Sequence, residues 1–175
     1  MVFLDESGFM LQPTVRRTWG PRGQTPVHYS WDRRDRLSVI SALTLSPRRR
    51  RLGLYFQWFK HNIKTNQAEA FVAALLGHFP QGIILVWDRW MVHRAAARRL
   101  QKRFPRRVDI EWLPAYAPEL NPTEQVWNHS KYADLANFIP RDLRHLVRSL
   151  VRSLRHTRAC PSLLRSFFQF AKLSW

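Results

Sequence analysis

Cysteine is almost absent from the 175-residue sequence, which contains Cys160 alone. A single cysteine excludes an internal disulfide and any cysteine-rich zinc module. The seven histidines are scattered along the chain, and no two of them form a His-x-x-x-His pair. We therefore predict no zinc site.

Long apolar runs are missing as well. A membrane-spanning helix needs about 18 or more consecutive apolar residues, and no segment of this sequence approaches that length. No signal-peptide pattern follows Met1. We therefore expect a soluble protein of the cytoplasm that has no membrane partner.

Acidic residues are scarce relative to basic ones. Twelve Asp and Glu stand against 29 Lys and Arg, which gives a formal net charge of +17. Arginine dominates, and its planar guanidinium pairs well with phosphate. Such a positive field attracts polyanions, so we expect a nucleic-acid partner. A ribosome-like or simply basic protein is the alternative.

The length and composition indicate one folded domain that spans residues 1–175. Apolar residues make up 45% of the sequence and aromatic residues 13%, which argues against disorder. A chain of this length buries roughly 70% of its unfolded surface, so a core can form without disulfides.

Strand patterns dominate the first sixty residues. Met1 to Leu4 is a short apolar start that ends on Asp5, which predicts a truncated strand. Residues 12–36 are polar and rich in Gly and Pro, as in a loop or hairpin. Leu37 to Leu45 and Leu52 to Phe59 are strand-like. Together they predict a three-stranded meander.

Helices and strands alternate in the next part of the chain. Gly82 to Trp87 is an apolar run without alternation, typical of a strand buried on both faces. The other predicted elements are a helix over Asn66 to Phe79, a basic helix over Ala95 to Phe104, a strand over Val108 to Leu113, a loop over Pro114 to Pro122 and a helix from Asn121. This order predicts an α/β fold, a ribonuclease-H-like mixed sheet flanked by helices.

A basic amphipathic helix is predicted after Pro140. Its apolar residues recur at helical spacing (Leu143, Leu146, Val147, Leu150, Val151 and Leu154), and its arginines occupy the other faces (Arg141, Arg144, Arg148, Arg152 and Arg155). We favour a core-facing helix with a solvated basic side. Contact between that basic side and phosphate is the alternative.

Three carboxylates are candidates for phosphoryl-transfer chemistry. Asp88 directly follows the most apolar strand, and Asp5 also ends an apolar run. Ligands gather at the carboxyl ends of parallel strands, where converging carboxylates can hold two divalent cations. Structural alternatives remain open for both residues. Asp88 could be a turn or helix-capping residue beside Arg89, and Asp5 could be an ordinary strand-end residue beside Glu6.

Glu124 has a structural alternative of its own. In Asn121-Pro122-Thr123-Glu124, Asn suits the N-cap, Pro suits the first helical position and Glu at the third completes a capping-box-like pattern. A carboxylate in the first turn also projects towards whatever that helix end faces. Both roles are compatible.

Three stretches carry a family resemblance. They are Asp5-Glu-Ser-Gly-Phe9, then Leu85-Val-Trp-Asp88 with His93 after it, and Leu113-Pro-Ala-Tyr-Ala-Pro-Glu-Leu-Asn-Pro-Thr-Glu-Gln-Val-Trp-Asn128. Together they resemble the DDE catalytic domain of the mariner-like transposase superfamily, in its bacterial insertion-sequence branch. The last stretch is the most specific, and the segment 19–26 also resembles that branch. The similarity covers residues 1 to about 140, whereas the C-terminal helices of 140–175 are less diagnostic.

This resemblance implies an active site of Asp5, Asp88 and Glu124 that holds two Mg²⁺ or Mn²⁺ ions. It implies double-stranded DNA as substrate, at both the transposon ends and the target. Hydrolysis at a transposon end is followed by attack of the freed 3′-hydroxyl on target DNA. It further implies a homodimer, which in a bacterium would be associated with the nucleoid.

Three further residues are predicted at lower priority to contact DNA. They are His93, Arg89 and Lys131. His93 could instead orient a ligand near Asp88 or pack at a helix start, and Lys131 shares a helix face with Glu124. Trp127 is expected in the core, with base stacking as the alternative. Asn121 and Pro122 are expected to shape the turn that presents Glu124.

Two features depart from the family pattern. Arg89 stands where many relatives have Asn, and the sequence starts four residues before Asp5, so we expect the helix-turn-helix region that precedes the first aspartate in the family to be missing. We therefore expect sequence-independent, salt-sensitive DNA binding. That segment could come from an upstream reading frame, or the chain could be a decayed fragment. A catalytically silent basic DNA-binding remnant and a nuclease for RNA–DNA hybrids are the competing hypotheses.

Overall fold

The computed structural model describes residues 1–27, 29–30 and 35–173, and every structural statement below concerns these residues. The strands are β1 (Val2–Met10), β2 (Arg36–Leu45), β3 (Leu52–Phe59), β4 (Ile83–Trp87) and β5 (Val108–Trp112). The helices are α1 (Thr65–Leu75), α2 (Met91–Arg103), α3 (Thr123–His129), α4 (Leu143–Ala159) and α5 (Pro161–Phe170). Short 3₁₀ turns cover Leu76–His78 and Pro118–Leu120, and a π-helical turn covers Ser130–Asp134.

The five strands form one mixed sheet in the order β3-β2-β1-β4-β5. β1, β2 and β3 are antiparallel neighbours, whereas β4 and β5 run parallel to β1. The predicted meander and the predicted mixed α/β sheet are both confirmed. The strand predicted over Leu52 to Phe59 has its observed bounds.

β1 is longer than the sequence suggested. The expected strand stopped at Leu4, but the observed one continues through Asp5 to Met10 because each of these residues pairs with β2, from Asp5 opposite Ser41 to Met10 opposite Arg36. Successive side chains of a strand point to opposite faces of the sheet. Asp5 and Glu6 therefore lie on different faces.

Each face of the sheet has its own hydrophobic core. On one face, which we call the α3 face, Phe3 and Phe9 of β1 pack with residues of α3, α4 and α5. On the other, the α2 face, Val2 and Leu4 pack with residues of α1 and α2. Alternation along β1 thus assigns Asp5 to the α3 face and Glu6 to the α2 face.

β4 departs from its prediction at one position. Four of its five residues are buried, but Ile84 is 42% exposed. The helices of the α3 face pack on β1, β2 and β3, so they leave the start of β4 uncovered. Gly82, just before the strand, has a φ of +88°, and a Cβ there would lie 2.7 Å from the carbonyl oxygen of Arg107.

The C-terminal helix behaves as the favoured interpretation predicted. Leu146, Leu150 and Leu154 of α4 are buried in the α3-face core, while its arginines are exposed. α1 and α2 differ from their predicted bounds by a few residues, since α1 passes into a 3₁₀ turn after Leu75 and α2 already begins at Met91.

The polar segment of residues 12–36, predicted as a loop or hairpin, is a loop over most of its described residues. It touches the rest of the protein at an isolated bridge between Thr14 and Ala136. Residues 28 and 31–34 of this prediction lie outside the described residues. Across the described ranges, no helix has both the length and the apolar character needed to cross a membrane.

Candidate active site

Asp5 and Asp88 meet where two parallel strands part. β1 and β4 pair at Val2 with Leu85 and at Phe3 with Val86, and the pairing then stops. Continued along the strands, this register places Asp88 level with Asp5. β4 ends at Trp87 while β1 continues, so a cleft opens beside the two aspartates.

Asp5 is held from the α3 face. The indole Nε1 of Trp127 donates a hydrogen bond of 2.8 Å to Asp5 Oδ2. Burial, with the charges of Glu124 and Glu6 acting in the same direction, raises the pKa of Asp5 to about 8, although the bond from Trp127 partly offsets these effects. The shift indicates a place where negative charge is crowded and poorly hydrated.

Asp88 is held from the α2 face. Its Oδ1 lies 2.5 Å from Nδ1 of His93 and accepts a 2.9 Å bond from the backbone N–H of Trp90. Burial alone would raise the pKa of Asp88, but these two bonds, together with the charge of His93, lower it. The groups responsible for the lowering are therefore His93 and the Trp90 amide.

His93 is enclosed, with 1% of its surface exposed. Its Nε2 lies 2.8 Å from Oε2 of Glu6 without the alignment of a hydrogen bond, so the contact is an ion pair. Burial lowers the pKa of His93, but Asp88 and Glu6 outweigh it and raise the pKa to about 9. The Trp87 ring stacks on the imidazole with centroids 4.2 Å apart. The burial leaves His93 no surface for DNA contact and favours the ligand-orienting alternative.

Glu124 is positioned by anchors to the main chain of β1. Asn121 Nδ2 donates to the carbonyl of Leu4 over 3.2 Å, and Thr123 Oγ1 donates to that of Phe3 over 2.8 Å. These two carbonyls immediately precede Asp5 in the chain. The start of α3, which carries Glu124, is therefore locked beside the first aspartate.

The predicted cap of this helix forms only in part. The helix begins at Thr123 and its N-cap is Pro122 rather than the predicted Asn121, yet Asn121 Oδ1 still accepts from the backbone N–H of Thr123 over 3.1 Å. The reciprocal half of a capping box is replaced, because the Asn121 N–H donates to Pro118 O. Burial raises the pKa of Glu124, Lys131 opposes that effect and Asp88 adds to it.

Lys131 lies on the π-helical turn after α3, close to the carboxylates. Its Nζ donates to Ser7 Oγ over 2.7 Å and sits 5.2 Å from the centre of the Phe9 ring. Burial lowers the pKa of Lys131, and the charges of Glu124 and Asp5 act against that lowering. Lys131 is thus a fixed positive charge on the α3 face of the site.

The three carboxylates line a single cleft of about 540 Å³. Its wall combines the ends of β1 and β4, the start of α3 and the Pro-rich loop before it; the lining residues are Asp5, Asp88, Arg89, Trp90, Leu113, Pro114, Ala115, Tyr116, Ala117, Pro118, Asn121 and Glu124. Arg89 is exposed here. The side chain of Tyr116, in the left-handed region at φ +59°, is also fully exposed.

The donor set of this cleft fits hard divalent cations. Mg²⁺ and Mn²⁺ prefer carboxylate oxygens. Asp88 is 53% exposed, and within the described residues both of its hydrogen bonds fall on Oδ1, which leaves Oδ2 available. A cation bound here would relieve the crowding of negative charge at Asp5. In the described ranges, no three His, Cys, Asp or Glu side chains are grouped closely enough to hold one ion, so the carboxylates surround the cleft without a preformed coordination shell.

Sequence reasoning missed three contributors to the site. Glu6 seemed merely a neighbour of Asp5, Ser7 was not singled out, and the hydroxyl of Thr123 was not expected to anchor α3. Strand alternation beyond Asp5 could have separated Glu6 from Asp5. Trp127 is in the core as predicted, at 2% exposure, but its indole N–H bond to Asp5 carried no signal in the sequence.

Comparison with known proteins gives a consistent result. The sequence profile described as DDE superfamily endonuclease matches residues 1–146. The mariner Mos1 paired-end complex with Mn has a TM-score of 0.70 at 16% identity over 98% of this chain and 52% of that one. The Mos1 transposase paired-end complex with left transposon end has a TM-score of 0.68, again at 16% identity, over 98% and 51%.

The Mos1 strand transfer complex is similar as well, with a TM-score of 0.62 at 15% identity over 98% of this chain and 53% of that one. At such identities the likeness shows the fold, which is that of the Mos1 ribonuclease-H-like domain. The chain spans about half the length of these Mos1 chains. Among curated proteins, none matches it in sequence.

Proposed function

Because the chain belongs to the DDE superfamily endonucleases, we propose that it is the metal-dependent DNA endonuclease and strand-transfer core of a cut-and-paste transposase. The proposed active site is Asp5, Asp88 and Glu124. One observation carries the proposal: carboxylates from β1, from the segment after β4 and from α3 line the same cleft. We propose that residues 1–175 act together as this catalytic domain, with the C-terminal helices of 140–175 as part of it.

Asp5, Asp88 and Glu124 are the residues that would hold two Mg²⁺ or Mn²⁺ ions. Paired divalent ions activate a water or hydroxyl nucleophile and stabilise the attacking and leaving oxygens of an in-line displacement. Solved Mos1 paired-end complexes with Mg and with Mn support this choice of metal. The donor chemistry of the cleft supports it independently.

The chain's own residues orient the carboxylates. Trp127 restrains one oxygen of Asp5, and His93 restrains one oxygen of Asp88. Glu124 is held at a fixed position relative to β1 by the Asn121 and Thr123 anchors. Such partners limit the motion of metal ligands and raise the fraction of molecules in a productive arrangement.

Two cations are placed to meet the DNA backbone. Arg89 is exposed in the wall of the cleft, where its guanidinium can pair with a phosphate. Lys131 is partly buried beside Ser7. In this proposal its positive charge offsets the negative charge of the phosphate group that is cleaved. His93 serves as the positioning residue of Asp88 and makes no contact with DNA.

The proposed substrate is double-stranded DNA, first a transposon end and then a target. The net charge of +17 supports a polyanionic partner. The solved Mos1 structures include a paired-end complex with a transposon end and a strand transfer complex. We propose that two copies of the chain act together, because two transposon ends must be joined, and that a helix-turn-helix segment from an upstream reading frame could supply end recognition.

The decisive experiment is nicking of supercoiled plasmid during a Mn²⁺ titration. We expect wild-type protein to nick, and Asp88→Asn to lower the rate by more than about 100-fold, because the variant removes a metal ligand and keeps the side-chain shape. Asp109→Asn is the matched control. Asp109 is an exposed aspartate on the neighbouring strand β5, and its substitution should leave the rate unchanged.

Two other results would lead to the competing functions. If neither wild type nor variant nicks at any Mn²⁺ concentration while both retard DNA in chelator, the chain is a catalytically silent DNA-binding remnant. If cleavage occurs but RNA–DNA hybrid is preferred over duplex DNA, the chain is a hybrid nuclease and the transposase proposal is wrong.

A further inference from the structure

The C-terminal part of the chain carries basic charge without acidic residues. No aspartate or glutamate follows Asp142 in the sequence. Four arginines of α4 recur at intervals of four, four and three residues, so they lie along one side of the helix over roughly 16 Å. We call Arg144, Arg148, Arg152 and Arg155 the arginine stripe; all four are exposed.

The charges of the arginine stripe are not neutralised within the described part of the protein. Among those residues, the arginines in ion pairs are Arg99 and Arg103, both with Glu69. Hydrogen bonds from guanidinium groups come from other positions, such as Arg107 to the carbonyls of Leu76 and Phe79. Like charges three or four residues apart repel each other on a helix. The four arginines of the stripe therefore lie close together despite their mutual repulsion.

Asp142 is the nearest acidic residue in sequence, and it serves the helix end. Its carboxylate accepts a 2.6 Å bond from the backbone N–H of His145. That bond lowers the pKa of Asp142 first, and the charge of Arg148 contributes to the lowering. The carboxylate is thus occupied as an N-cap and forms no ion pair with the stripe in the described structure.

The helix beneath the stripe is rigidly seated. Leu146, Leu150 and Leu154 are buried on its opposite side. Ser153 Oγ donates to Ser130 Oγ over 3.1 Å, which ties α4 to the π-helical turn that carries Lys131. Because the helix is already folded and anchored, binding at the stripe does not require ordering of its backbone. A surface depression of about 620 Å³ runs beside Arg148, Arg152 and Arg155.

We propose that the arginine stripe is a second contact surface for the phosphate backbone of duplex DNA, separate from the cleft. Guanidinium groups pair with phosphate oxygens through two parallel hydrogen bonds. Three of the four arginines lie beyond residue 146, where the match to the endonuclease family ends. The choice of DNA rests on the proposed function, but binding at the stripe does not require cleavage.

An anionic membrane is the less suitable partner for this surface. A helix that lies on a bilayer needs an exposed face of large apolar side chains, whereas the large apolar side chains of α4 are directed into the α3-face core. What the stripe presents to solvent is a row of guanidinium groups flanked by partly exposed valines. This chemistry fits a charged rod such as a duplex.

The test compares two triple variants that remove the same charge. The stripe variant combines Arg148→Gln, Arg152→Gln and Arg155→Gln. The control variant combines three substitutions in the exposed turn between β2 and β3, namely Arg48→Gln, Arg50→Gln and Arg51→Gln. Affinity for a fluorescent DNA duplex is measured in chelator between about 50 and 200 mM salt. The stripe variant should reduce the salt slope by about 2 to 3, since each lost phosphate contact removes about 0.9. The control should change it by less than about 1.

Equal changes in the two triple variants would overturn the proposal, because net charge alone would then account for binding. The proposal would also be overturned if the stripe variant lost more affinity for phosphatidylserine vesicles than for duplex DNA. Far-UV circular dichroism melting tests folding, and a triple Lys variant at the same positions keeps the charge in case the Gln variant does not fold. We expect the Lys variant to retain the salt slope and lose affinity, since it lacks the bidentate fork.

The same proteins separate this inference from the proposed function. If the stripe variant binds DNA like wild type and both nick plasmid with Mn²⁺, the stripe proposal fails and the endonuclease proposal stands. If the stripe variant reduces the salt slope as expected while wild type never nicks, the stripe proposal stands and the endonuclease proposal fails.

Discussion

The two faces of the sheet hold the two aspartates in different ways. On the α3 face, Asp5 receives a neutral indole N–H from Trp127. On the α2 face, Asp88 is hydrogen-bonded to the imidazole of His93, which also forms an ion pair with Glu6. The division begins in β1, where adjacent residues Asp5 and Glu6 point to opposite faces.

The pKa values of the two aspartates move in opposite directions for this reason. Burial, together with the charges of Glu124 and Glu6, raises the pKa of Asp5 to about 8, and the single bond from the neutral indole of Trp127 offsets only part of this. Burial also acts on Asp88, but hydrogen bonds from His93 and the Trp90 amide prevail and lower its pKa. The hydrogen-bond donors and the charges around each carboxylate therefore decide which aspartate is ionised first.

The largest effect is expected from removing the charged partner on the α2 face. His93→Gln should lower the free energy of unfolding by about 2–4 kcal/mol, because it leaves the carboxylate of Glu6 without its counter-ion in a largely buried position. It should also reduce nicking by about 10- to 100-fold, as loss of a ligand-orienting partner does. Urea denaturation and the plasmid assay measure the two effects.

His61→Gln is the control for that variant, since His61 is exposed after β3 and should tolerate the change. A His93→Gln protein as stable and as active as wild type would show that the ion pair with Glu6 contributes nothing, and the contrast between the two faces would disappear.

A smaller effect is expected on the α3 face from Trp127→Phe. The variant leaves a cavity in the core and removes the donor to Asp5, so we expect a loss of about 1–3 kcal/mol in unfolding free energy. Trp58→Phe, at a partly exposed position on β3, should cost less than about 0.5 kcal/mol. Nicking by Trp127→Phe at saturating Mn²⁺ should recover more fully than nicking by His93→Gln, because a bound cation can itself fix the Asp5 carboxylate.

The two faces of the sheet should make the free energy of unfolding depend on pH over different pH ranges. Asp5 has a folded pKa of about 8, above its unfolded value, so the folded state keeps a proton that the unfolded state loses. Stability should therefore fall as pH rises from about 4 to 8, on the order of 1–2 kcal/mol after allowance for sharing of charge with Glu124. Asp5→Asn should flatten this range, as thermal melting across pH will show.

His93 acts in a higher range with the same sign. Its folded pKa is about 9 against an ordinary 6.5, so its contribution is complete below about 6.5 and is lost as pH rises towards 9. His93→Gln should flatten the dependence between about pH 6.5 and 9 and leave the fall below about 6.5, which comes from Asp5, unchanged. If Asp5→Asn and His93→Gln flattened the same range, the two faces would be electrostatically one unit.

Local patterns predicted most of the elements and the candidate carboxylates. The strand over Leu52 to Phe59 and the buried stripe of α4 depend on periodicities of a few residues, which neighbouring side chains determine. Asp5, Asp88 and Glu124 were found because each lies in a short motif. The bounds of β1 were less predictable, since Glu6, Ser7 and Gly8 are not strand-forming by themselves and become strand by pairing with β2.

The amino-acid sequence alone therefore determined the order of the elements, the positive charge and the three carboxylates that line the cleft. His93 was already a candidate partner of Asp88 in the sequence, but the partner of Asp5 and the counter-ion of His93 were decided by the tertiary structure. Trp127 reaches Asp5 across 122 positions of sequence, and Glu6 meets His93 because β1 and the start of α2 are brought together on one face of the sheet. Such contacts depend on packing between distant segments, and no local pattern of residues encodes their distances.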